Sequence, residues 1–360
     1  MGRSNYKRLG DYIQPVDIRN KELEVETLLG VSNAKEFIPS IANTIGTDMS
    51  NYKVITKGQF VYIPDTSRRG DKISIALMQE DKAIVSQAYT VFEVVDQSRL
   101  LPNYLMMWFR RPEFDRYARF KSHGSAREVF DWEEMCEVRL PIPDIEVQRK
   151  IVAQYETITR RIALNERICA NLEETAQALY NKMFVQDIDP DNLPDGWRMG
   201  SLRDFASLSG GRTCTTKKSA ARTEKYQYPI AGATGVIGYS TDYNADGKLL
   251  TIGRVGSLGI VCRYDEPVFM ADNVLVISSK HYHFCEQVLK SINYEEIKKG
   301  GVQSLITQKE LNMVEVILPV RNAIEDYERR VRILYDRIDL IEQQSILLTT
   351  ILSLITSRMH

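Results

Sequence analysis

An internal repeat constrains the fold of this chain more than any other feature of its 360 residues. Apolar and proline positions of the first half return 176 residues later at the same spacing. The matched positions are Phe130, Met135, Val138 and Pro143 in the first copy and Ile306, Leu311, Val314 and Pro319 in the second. A chain that repeats itself in this way predicts one structural unit present in two copies.

Each copy ends in an apolar heptad whose steps alternate between four and three residues. The first seam consists of Ile151, Tyr155, Ile158, Ile162, Asn165, Cys169, Leu172, Ala176, Leu179 and Met183. The second consists of Tyr327, Val331, Leu334, Ile338, Ile341, Ser345, Leu348, Leu352, Ile355 and Met359. Such regularity is typical of coiled coils, and each seam spans roughly 50 Å at about 1.5 Å per residue. Equal seams predict that the two helices pair with each other; the alternative is that each packs on its own domain.

The segment before each long helix mixes strand, turn and helix signals. Four strands are predicted there: Tyr52–Thr56, Gln59–Ile63, Lys248–Ile252 and Gly259–Arg263. The glycine-rich stretch Gly253–Gly259 is predicted to be a turn, and Asn103–Phe120 a helix interrupted before Pro112. The predicted division of the chain is a globular domain at 1–145, a helix at 146–186, a linker at 187–196, a second domain at 197–320 and a second helix at 321–360.

Composition restricts the class of protein but does not indicate what the protein binds. The formal net charge is −1, so any surface that binds nucleic acid must be local. Five scattered cysteines without a C-x-x-C pair predict free thiols rather than a disulfide or zinc framework. The N-terminus lacks the apolar core of a signal peptide, and the longest uncharged stretch, 343–357, is shorter than the roughly 20 residues of a membrane span. We therefore expect a cytoplasmic protein.

No motif of a DNA-modifying enzyme stands out. There is no Pro-Pro pair for a methyltransferase tetrapeptide and no Walker loop. Asp65, Glu80 and Lys82 fit the loose Pro-Asp…Glu-x-Lys nuclease pattern, in which the carboxylates hold a divalent metal; solvated turn charges are the simpler interpretation. His281, His283 and Cys285 could place three metal ligands on one side of a strand, but no fourth ligand is visible; residues at the boundary of a helix are the simpler interpretation.

Local basic clusters inside the two globular segments are the signal for DNA. The candidate contacts in the first segment are Thr66, Ser67, Arg68, Arg69, Lys72, Arg119, Lys121 and Arg127. Those in the second are Arg212, Lys217, Lys218, Arg222, Arg254 and Ser257. Arg and Lys neutralise phosphates, while Ser and Thr in the same loops can reach base edges. An ordinary solvated face is the alternative interpretation of each cluster.

Several stretches resemble the specificity subunits of Type I restriction-modification systems. They are Gly30-Val-Ser-Asn-Ala-Lys-Glu-Phe-Ile-Pro-Ser, Ile84-Val-Ser-Gln-Ala-Tyr, Tyr228-Pro-Ile-Ala-Gly-Ala-Thr-Gly-Val-Ile-Gly-Tyr, Ala271-Asp-Asn-Val-Leu-Val and the linker Leu193-Pro-Asp-Gly-Trp. The turns Leu140-Pro-Ile-Pro and Leu318-Pro-Val, which lead into the long helices, are also similar. One departure is Pro143-Asp-Ile-Glu-Val-Gln148, where the family usually has Pro-x-x-x-Glu-Gln, and it puts subunit contacts at that turn in doubt.

The resemblance covers essentially the whole chain and implies an α/β fold. The implied architecture has two pseudo-repeated target-recognition domains, each followed by a long helix, with the helices pairing as an antiparallel coiled coil. The chain would perform no chemistry and would bind an asymmetric, bipartite site on double-stranded DNA, one half-site per domain. The implied partners are two modification subunits, which methylate adenine at N6, and two motor-nuclease subunits. S-adenosylmethionine, ATP and Mg²⁺ would belong to those partners and none to this chain.

Two other functions stay open from the sequence. One is a stand-alone metal-dependent nuclease using Asp65, Glu80 and Lys82, and the other is a scaffold that does not bind DNA. Within the paired helices, a flush antiparallel register would place Asn165 opposite Ser345. Because a lone Asn in an apolar seam disfavours shifted pairings, we expect these two residues to fix the register. The alternative is that Asn165 reaches solvent at the edge of the seam.

Overall fold

A computed structural model of the chain describes residues 6–40, 46–66, 72–123, 128–255, 259–297 and 305–359. These residues form two compact units. The first contains the residues up to Leu164 together with those from Gln344 onwards, and the second runs from Asn165 to Gln343. Both long helices contribute to both units. The finer domain boundaries given above stay predictions.

The first unit contains ten strands and three short helices among its described residues. The strands are β1 (Tyr6–Arg8), β2 (Ile13–Val16), β3 (Leu29–Val31), β4 (Phe37–Pro39), β5 (Lys53–Thr56), β6 (Phe60–Tyr62), β7 (Ile75–Leu77), β8 (Lys82–Val85), β9 (Thr90–Val94) and β10 (Arg139–Pro141). The helices are α1 (Pro102–Phe109), α2 (Pro112–Lys121) and α3 (Trp132–Glu137), followed by the long helix α4 (Ile145–Phe184). Proline stands in the first turn of α1 and of α2, where it costs no hydrogen bond, so the predicted interruption before Pro112 is confirmed.

The second unit repeats this arrangement within its described residues. Its strands are β11 (Arg198–Ser201), β12 (Ala206–Gly210), β13 (Tyr228–Gly232), β14 (Gly235–Ser240), β15 (Leu249–Gly253), β16 (Val261–Tyr264), β17 (Phe269–Met270), β18 (Val274–Ser279) and β19 (Glu315–Leu318). The helices are α5 (Tyr282–Ser291), α6 (Tyr294–Ile297), α7 (Gln308–Asn312) and the long helix α8 (Arg321–Ser357). The four predicted strands are present as β5, β6, β15 and β16.

The sheet topology shows that the two units are copies of one fold. The main sheet has the strand order β2-β9-β6-β7 in the first unit and β12-β18-β15-β16 in the second. All neighbouring strands in both sheets are antiparallel. In each unit a separate pair, β1 with β10 or β11 with β19, joins the beginning of the domain to the strand before the long helix. The repeat in the sequence therefore corresponds to a repeat in the fold.

Each unit has its own apolar core between the main sheet and the helices. In the first, Phe60 and Phe92 stack with their ring centroids 4.9 Å apart, and Phe109 packs edge-on against Phe60 at 5.7 Å. In the second, Phe284 of α5 packs against Phe184 of α4 at 5.2 Å. In each unit the same apolar cluster also includes residues of both long helices, so the helices pack on the globular part.

The long helices pair antiparallel within each unit. In the first unit Ile151 and Tyr155, near the start of α4, share a core with Met359 and Ile355, at the end of α8. In the second unit the ring of Tyr327, near the start of α8, lies 6.0 Å from Tyr180 and 5.6 Å from Phe184, near the end of α4. These two residues flank Met183, which the flush register places opposite Tyr327. The helices also pack on the globular domains, so the two alternatives raised by the heptads both hold in part.

Burial along the seams follows the predicted heptads. Every seam residue of α4 and α8 is buried or half-buried, including Met359 just beyond the end of α8. Asn165 is only 1% exposed, so its side chain does not reach solvent at the edge of the seam. Its pairing with Ser345 stays a prediction.

A second apolar stripe runs along the outside of α8. Ile333, Leu340, Leu347 and Leu354 recur every seven residues, and each is more than half exposed. An 18-residue window of α8 has a mean hydropathy of 1.4, so that by length and composition alone this helix passes as a membrane span. A helix of a coiled coil passes the same test, and α8 pairs with α4 in both units.

Candidate nucleic-acid interface

The third strand of each main sheet leads into the same local arrangement. After β6, Asp65 forms a β-bridge with Val129, and the carbonyl of Pro64 accepts a hydrogen bond of 2.9 Å from the amide of Phe130. After β15, Val255 bridges Leu305, and the carbonyl of Arg254 accepts one of 2.9 Å from the amide of Ile306. Val129 and Leu305 occupy equivalent positions of the repeat. We call these two places the first and second polar edge.

The first polar edge joins three segments of the chain, two of which carry predicted DNA contacts. Arg119, near the end of α2, donates a hydrogen bond of 3.5 Å to the carbonyl of Thr66 and forms an ion pair with Glu128. The amide of Thr66 in turn donates to the carbonyl of Glu128 at 2.9 Å. Arg119 is exposed and keeps part of its guanidinium in solvent, as a phosphate contact requires.

The other predicted contacts of this domain differ in accessibility. Thr66 is 3% exposed and its hydroxyl is bonded to Ser122 at 2.9 Å, so it fastens the edge rather than facing solvent. Lys121 is half-buried and forms an ion pair of 3.3 Å with Glu134. Lys72 is exposed and forms no ion pair or hydrogen bond within the described residues. The predicted contacts Ser67, Arg68, Arg69 and Arg127 lie outside the described residues.

The second polar edge forms where three strands of the sheet end together. Strands β12 and β15 both run antiparallel to β18, which lies between them, so their C-terminal ends meet its N-terminal end. Arg212 follows β12, and its amide donates to the carbonyl of Met270 at 2.9 Å. Thr213 donates to Asp272 at 2.7 Å, and the amide of Arg254, after β15, donates to the carbonyl of Asn273 at 2.9 Å. The edge therefore places two arginines beside the turn that precedes β18.

A glycine makes this convergence possible. A Cβ atom at Gly211 would lie 1.8 Å from the carbonyl oxygen of Ala271, which is far inside van der Waals contact. Any other residue at this position would push Arg212 and Thr213 away from the turn that carries Asp272. The glycine thus belongs to the geometry of the edge.

The remaining basic candidates of the second domain are attached elsewhere. Lys217 and Lys218 are exposed on the segment that Ser219 joins to Tyr239 of β14. Arg222 forms an ion pair of 2.8 Å with Glu266 in which both side chains are exposed. An exposed pair contributes at most about 1 kcal/mol, so exchanging it for a phosphate costs little. Ser257 lies outside the described residues.

The structure also points to residues that the sequence patterns did not single out. Phe120 is 81% exposed and stands between Arg119 and Lys121 at the end of α2. A solvated ring flanked by cations suits stacking on a base or contact with a thymine methyl. At the second edge, Asn273 Oδ1 and Arg254 Nε are buried without a hydrogen-bond partner among the described residues. In the sequence, Asn273 is only one more polar loop residue, so nothing singled it out. Phe120 could have been identified, because it lies off the apolar face of α2.

The rival nuclease pattern has no support from the described geometry. Asp65 belongs to the first polar edge, whereas Lys82 lies in β8 of a different sheet and forms an ion pair of 3.9 Å with Glu24. Glu80 is exposed just before β8. Within the described ranges, no group of three or more His, Cys, Asp or Glu side chains is arranged to hold a metal ion.

The His-Tyr-His-Phe-Cys segment lies at the beginning of a helix, so the simpler interpretation is confirmed and the metal-binding strand is wrong. Tyr282–Ser291 forms α5, with His281 as its N-cap residue, because this stretch buries one helical face against the long helices. Residues two apart on a helix point in different directions, so the three side chains do not share a face. Cys285 is fully buried, and His283 stacks on Tyr335 with ring centroids 3.9 Å apart.

Comparison with known proteins agrees with this description. The model of the family described as "Type I restriction modification DNA specificity domain" matches residues 17–174 and 194–349. The specificity subunit of the Type I restriction enzyme HindI from Haemophilus influenzae is 28% identical over 202 residues, which cover 54% of this chain and 40% of that protein. The chain thus aligns with less than half the length of this relative.

A solved structure extends the comparison to the whole fold. The S subunit of a Type I restriction-modification system from M. genitalium superposes with a TM-score of 0.59 at 13% identity, over 100% of this chain and 97% of that chain. At this identity the likeness concerns the fold alone. Because the family model matches most of the chain in two successive copies, this protein belongs to the family of Type I restriction-modification DNA specificity domains.

Proposed function

We propose that this chain is the specificity subunit of a Type I restriction-modification complex and that it reads a bipartite, asymmetric DNA site. The observation that carries the proposal is the duplication of the polar edge: both copies of the fold place arginines and polar side chains at the same end of the same sheet. Each edge would read one half-site. Among the described residues the first edge carries Arg119 and Phe120, whereas the second carries Arg212 and Arg254, which suits two half-sites of different sequence.

The paired helices would act as the spacer between the half-sites. Their length is set by an uninterrupted heptad, and each packs on the globular domains through a buried apolar cluster. Asn165, buried in the seam, would fix the register together with Ser345. The unread stretch of DNA between the half-sites would therefore have one preferred length.

The outer stripe of α8 supports docking of partner subunits. A stripe of exposed apolar residues at heptad spacing, such as Leu347 and Leu354, is a surface that another helix can cover. In a complex of the proposed kind the partners are two adenine-N6 methyltransferase subunits and two motor-nuclease subunits, and the complex works in the cytoplasm. S-adenosylmethionine, ATP and Mg²⁺ would be bound by those partners.

Selection from randomised duplex DNA tests the proposal. The full-length chain, alone and assembled with its modification subunits, is incubated with the pool, and the retained DNA is sequenced. We expect two fixed segments of different sequence separated by an unread spacer of constant length. No enrichment, or one continuous motif, would contradict the proposal. Cleavage of DNA by the chain alone with Mg²⁺, abolished by Asp65→Ala, would support the nuclease instead.

A further inference from the structure

A buried ion pair lies beside the first polar edge. Lys35, in the turn between β3 and β4, contacts Asp115 of α2 with 2.8 Å between Lys35 Nζ and Asp115 Oδ1. The two side chains are 5% and 11% exposed. Lys35 Nζ also donates a hydrogen bond to the carbonyl of Phe109. The turn between β3 and β4 thus sends a charged side chain into the corner between α1 and α2.

Stability does not explain this pair. Burial lowers the pKa of Lys35, and the neighbouring charge of Asp115 only partly offsets that effect. Replacing a buried ion pair by apolar side chains of similar volume is often neutral or stabilising, because the desolvation of two charges is avoided. Apolar side chains in place of Lys35 and Asp115 would join Phe114 and Ile73, which belong to the apolar core of this unit. The hydrogen bonds that the pair makes to neighbouring backbone explain it better.

The pair holds the backbone that follows Lys72. Asp115 Oδ1 accepts a hydrogen bond of 3.2 Å from the amide of Ile73. The next residue, Ser74, donates to Asn33 Oδ1 at 2.6 Å, and Asn33 belongs to the same turn as Lys35. Two successive residues are therefore fastened to the β3–β4 turn and to α2. Lys72, immediately before them, is exposed and makes no ion pair within the described residues.

We propose that Lys35 and Asp115 form a positioning pair that fixes Lys72 against a phosphate of the first half-site. Lys35 neutralises Asp115 inside the protein, and Asp115 then orients the backbone of Ile73 as an acceptor. A lysine on a fixed backbone loses less conformational entropy when it binds a phosphate than a lysine on a free one. This inference rests on the proposed function, because it concerns how one half-site is held.

The test separates folding from positioning by double replacement. Lys35→Met alone would leave Asp115 charged and buried, so the variant used is Lys35→Met with Asp115→Leu. It removes one positive and one negative charge and leaves the net charge unchanged. The rescue variant is Lys35→Met with Asp115→Asn, whose amide oxygen can still accept from the amide of Ile73. Each is compared with Lys72→Gln and with the combination of Lys72→Gln and the Met/Leu replacement.

The measurement is the salt dependence of binding to the site selected by the unaltered chain, together with thermal unfolding. A lost phosphate contact lowers the slope of log affinity against log salt by about 0.9. We expect the Lys35→Met, Asp115→Leu variant (Met/Leu) to unfold at or above the temperature of the unaltered chain. Its salt slope should fall by this amount, as that of Lys72→Gln does. The slope of the variant that combines Lys72→Gln with Met/Leu should fall no further than that of either alone. The Lys35→Met, Asp115→Asn variant (Met/Asn) should keep the slope of the unaltered chain. Base preference in the second half-site should stay unchanged in all of them.

Three outcomes overturn the inference. A full salt slope in the Met/Leu variant shows that the pair does not position Lys72, and additive losses in the combined variant show that the two act separately. Loss of preference in both half-sites shows a general structural defect. If the unaltered chain selects no DNA sequence, the proposed function fails, and this inference fails with it.

Discussion

The side-chain amide of Gln148 joins α4 to the first recognition domain through both its oxygen and its nitrogen. Its Oε1 accepts a hydrogen bond of 2.9 Å from the backbone amide of Leu101, at the start of α1. Its Nε2 donates to the carbonyls of Arg99 and Pro143 at 2.9 and 2.8 Å. Gln148 is fully buried. The glutamine of the Pro-Asp-Ile-Glu-Val-Gln turn is therefore an internal fastener, which gives it a role that does not depend on contacts with other subunits.

Replacing Gln148 with Ala should destabilise the first unit by about 2–4 kcal/mol. The change leaves the amide of Leu101 buried without its acceptor and opens a cavity, and an orphaned buried polar group alone costs about 1–3 kcal/mol. Urea unfolding measures the difference. Gln154→Ala, at an exposed position of the same helix, is the control and should change stability by less than about 0.5 kcal/mol. Equal changes in the free energy of unfolding for the two variants would mean that the hydrogen bonds of Gln148 do not stabilise the first unit.

Glu286 should make the second unit sensitive to acid. Its side chain is 1% exposed and lies 2.7 Å from Lys290 and 3.8 Å from Arg263. Burial alone would raise the pKa of Glu286, but His283, Lys290 and Arg263 together lower it to about 2. Because the folded pKa lies below the ordinary value of 4.5, the stabilisation is complete above that pH and is lost as the pH falls towards 2.

Substitution of Glu286 by Gln should flatten this pH dependence. The variant is expected to be less stable at neutral pH and to lose less stability on acidification, with a difference on the order of 3 kcal/mol. Unfolding of the unaltered chain, Glu286→Gln and the exposed control Glu325→Gln is followed from pH 7 to pH 2. A Glu286→Gln profile parallel to that of the unaltered chain would rule out the carboxylate as the source.

Phe120 should contribute to DNA affinity without contributing to stability. Because its ring is 81% exposed, Phe120→Ala removes little packing and should leave the unfolding temperature unchanged. Loss of a stacking or thymine-methyl contact should weaken binding to the selected site by roughly five- to a hundredfold, corresponding to about 1–3 kcal/mol. Val95→Ala, at another exposed apolar position of the same unit, is the control. Unchanged affinity of Phe120→Ala would place the ring outside the DNA interface.

Asn165 and Ser345 should trade stability for a single helix register. Asn165→Leu combined with Ser345→Ala removes polar groups from the seam, so we expect a higher melting temperature. The same variant should tolerate a wider range of spacer lengths, since shifted pairings no longer bury an amide against apolar groups. Binding to a panel of DNA duplexes that differ only in spacer length measures this. A spacer preference as sharp as before would assign the register to apolar packing alone.

The repeat, the long helices and their seams could be predicted because they rest on local periodicity. A heptad such as the one from Ile151 to Met183 is uninterrupted, and few structures other than a paired helix satisfy it. The strands β5, β6, β15 and β16 could also be predicted, since short runs rich in apolar and β-branched residues next to glycine-bearing turns mark them. The strand order was not, because it depends on pairings between distant parts of the chain.

The polar edges lay beyond prediction for the same reason. Lys35 and Asp115 are 80 residues apart, and nothing near either one indicates that they meet. For His281, His283 and Cys285 both a strand and the boundary of a helix stayed open because a short apolar run does not distinguish the two, and burial against the long helices favours α5. Charge clusters identified candidate basic residues but did not distinguish exposed Lys72 from half-buried Lys121.

Exchange of one recognition domain tests the central claim most directly. The segment from Asp204 to Ile297 is replaced by the matching segment of a relative that reads a different sequence, and the DNA selected by the assembled complex is sequenced. The account predicts that one half-site changes to that of the relative, while the other half-site and the spacer length stay as they were. A complex that assembles but changes both half-sites, or neither, would contradict independent reading by two copies of one fold.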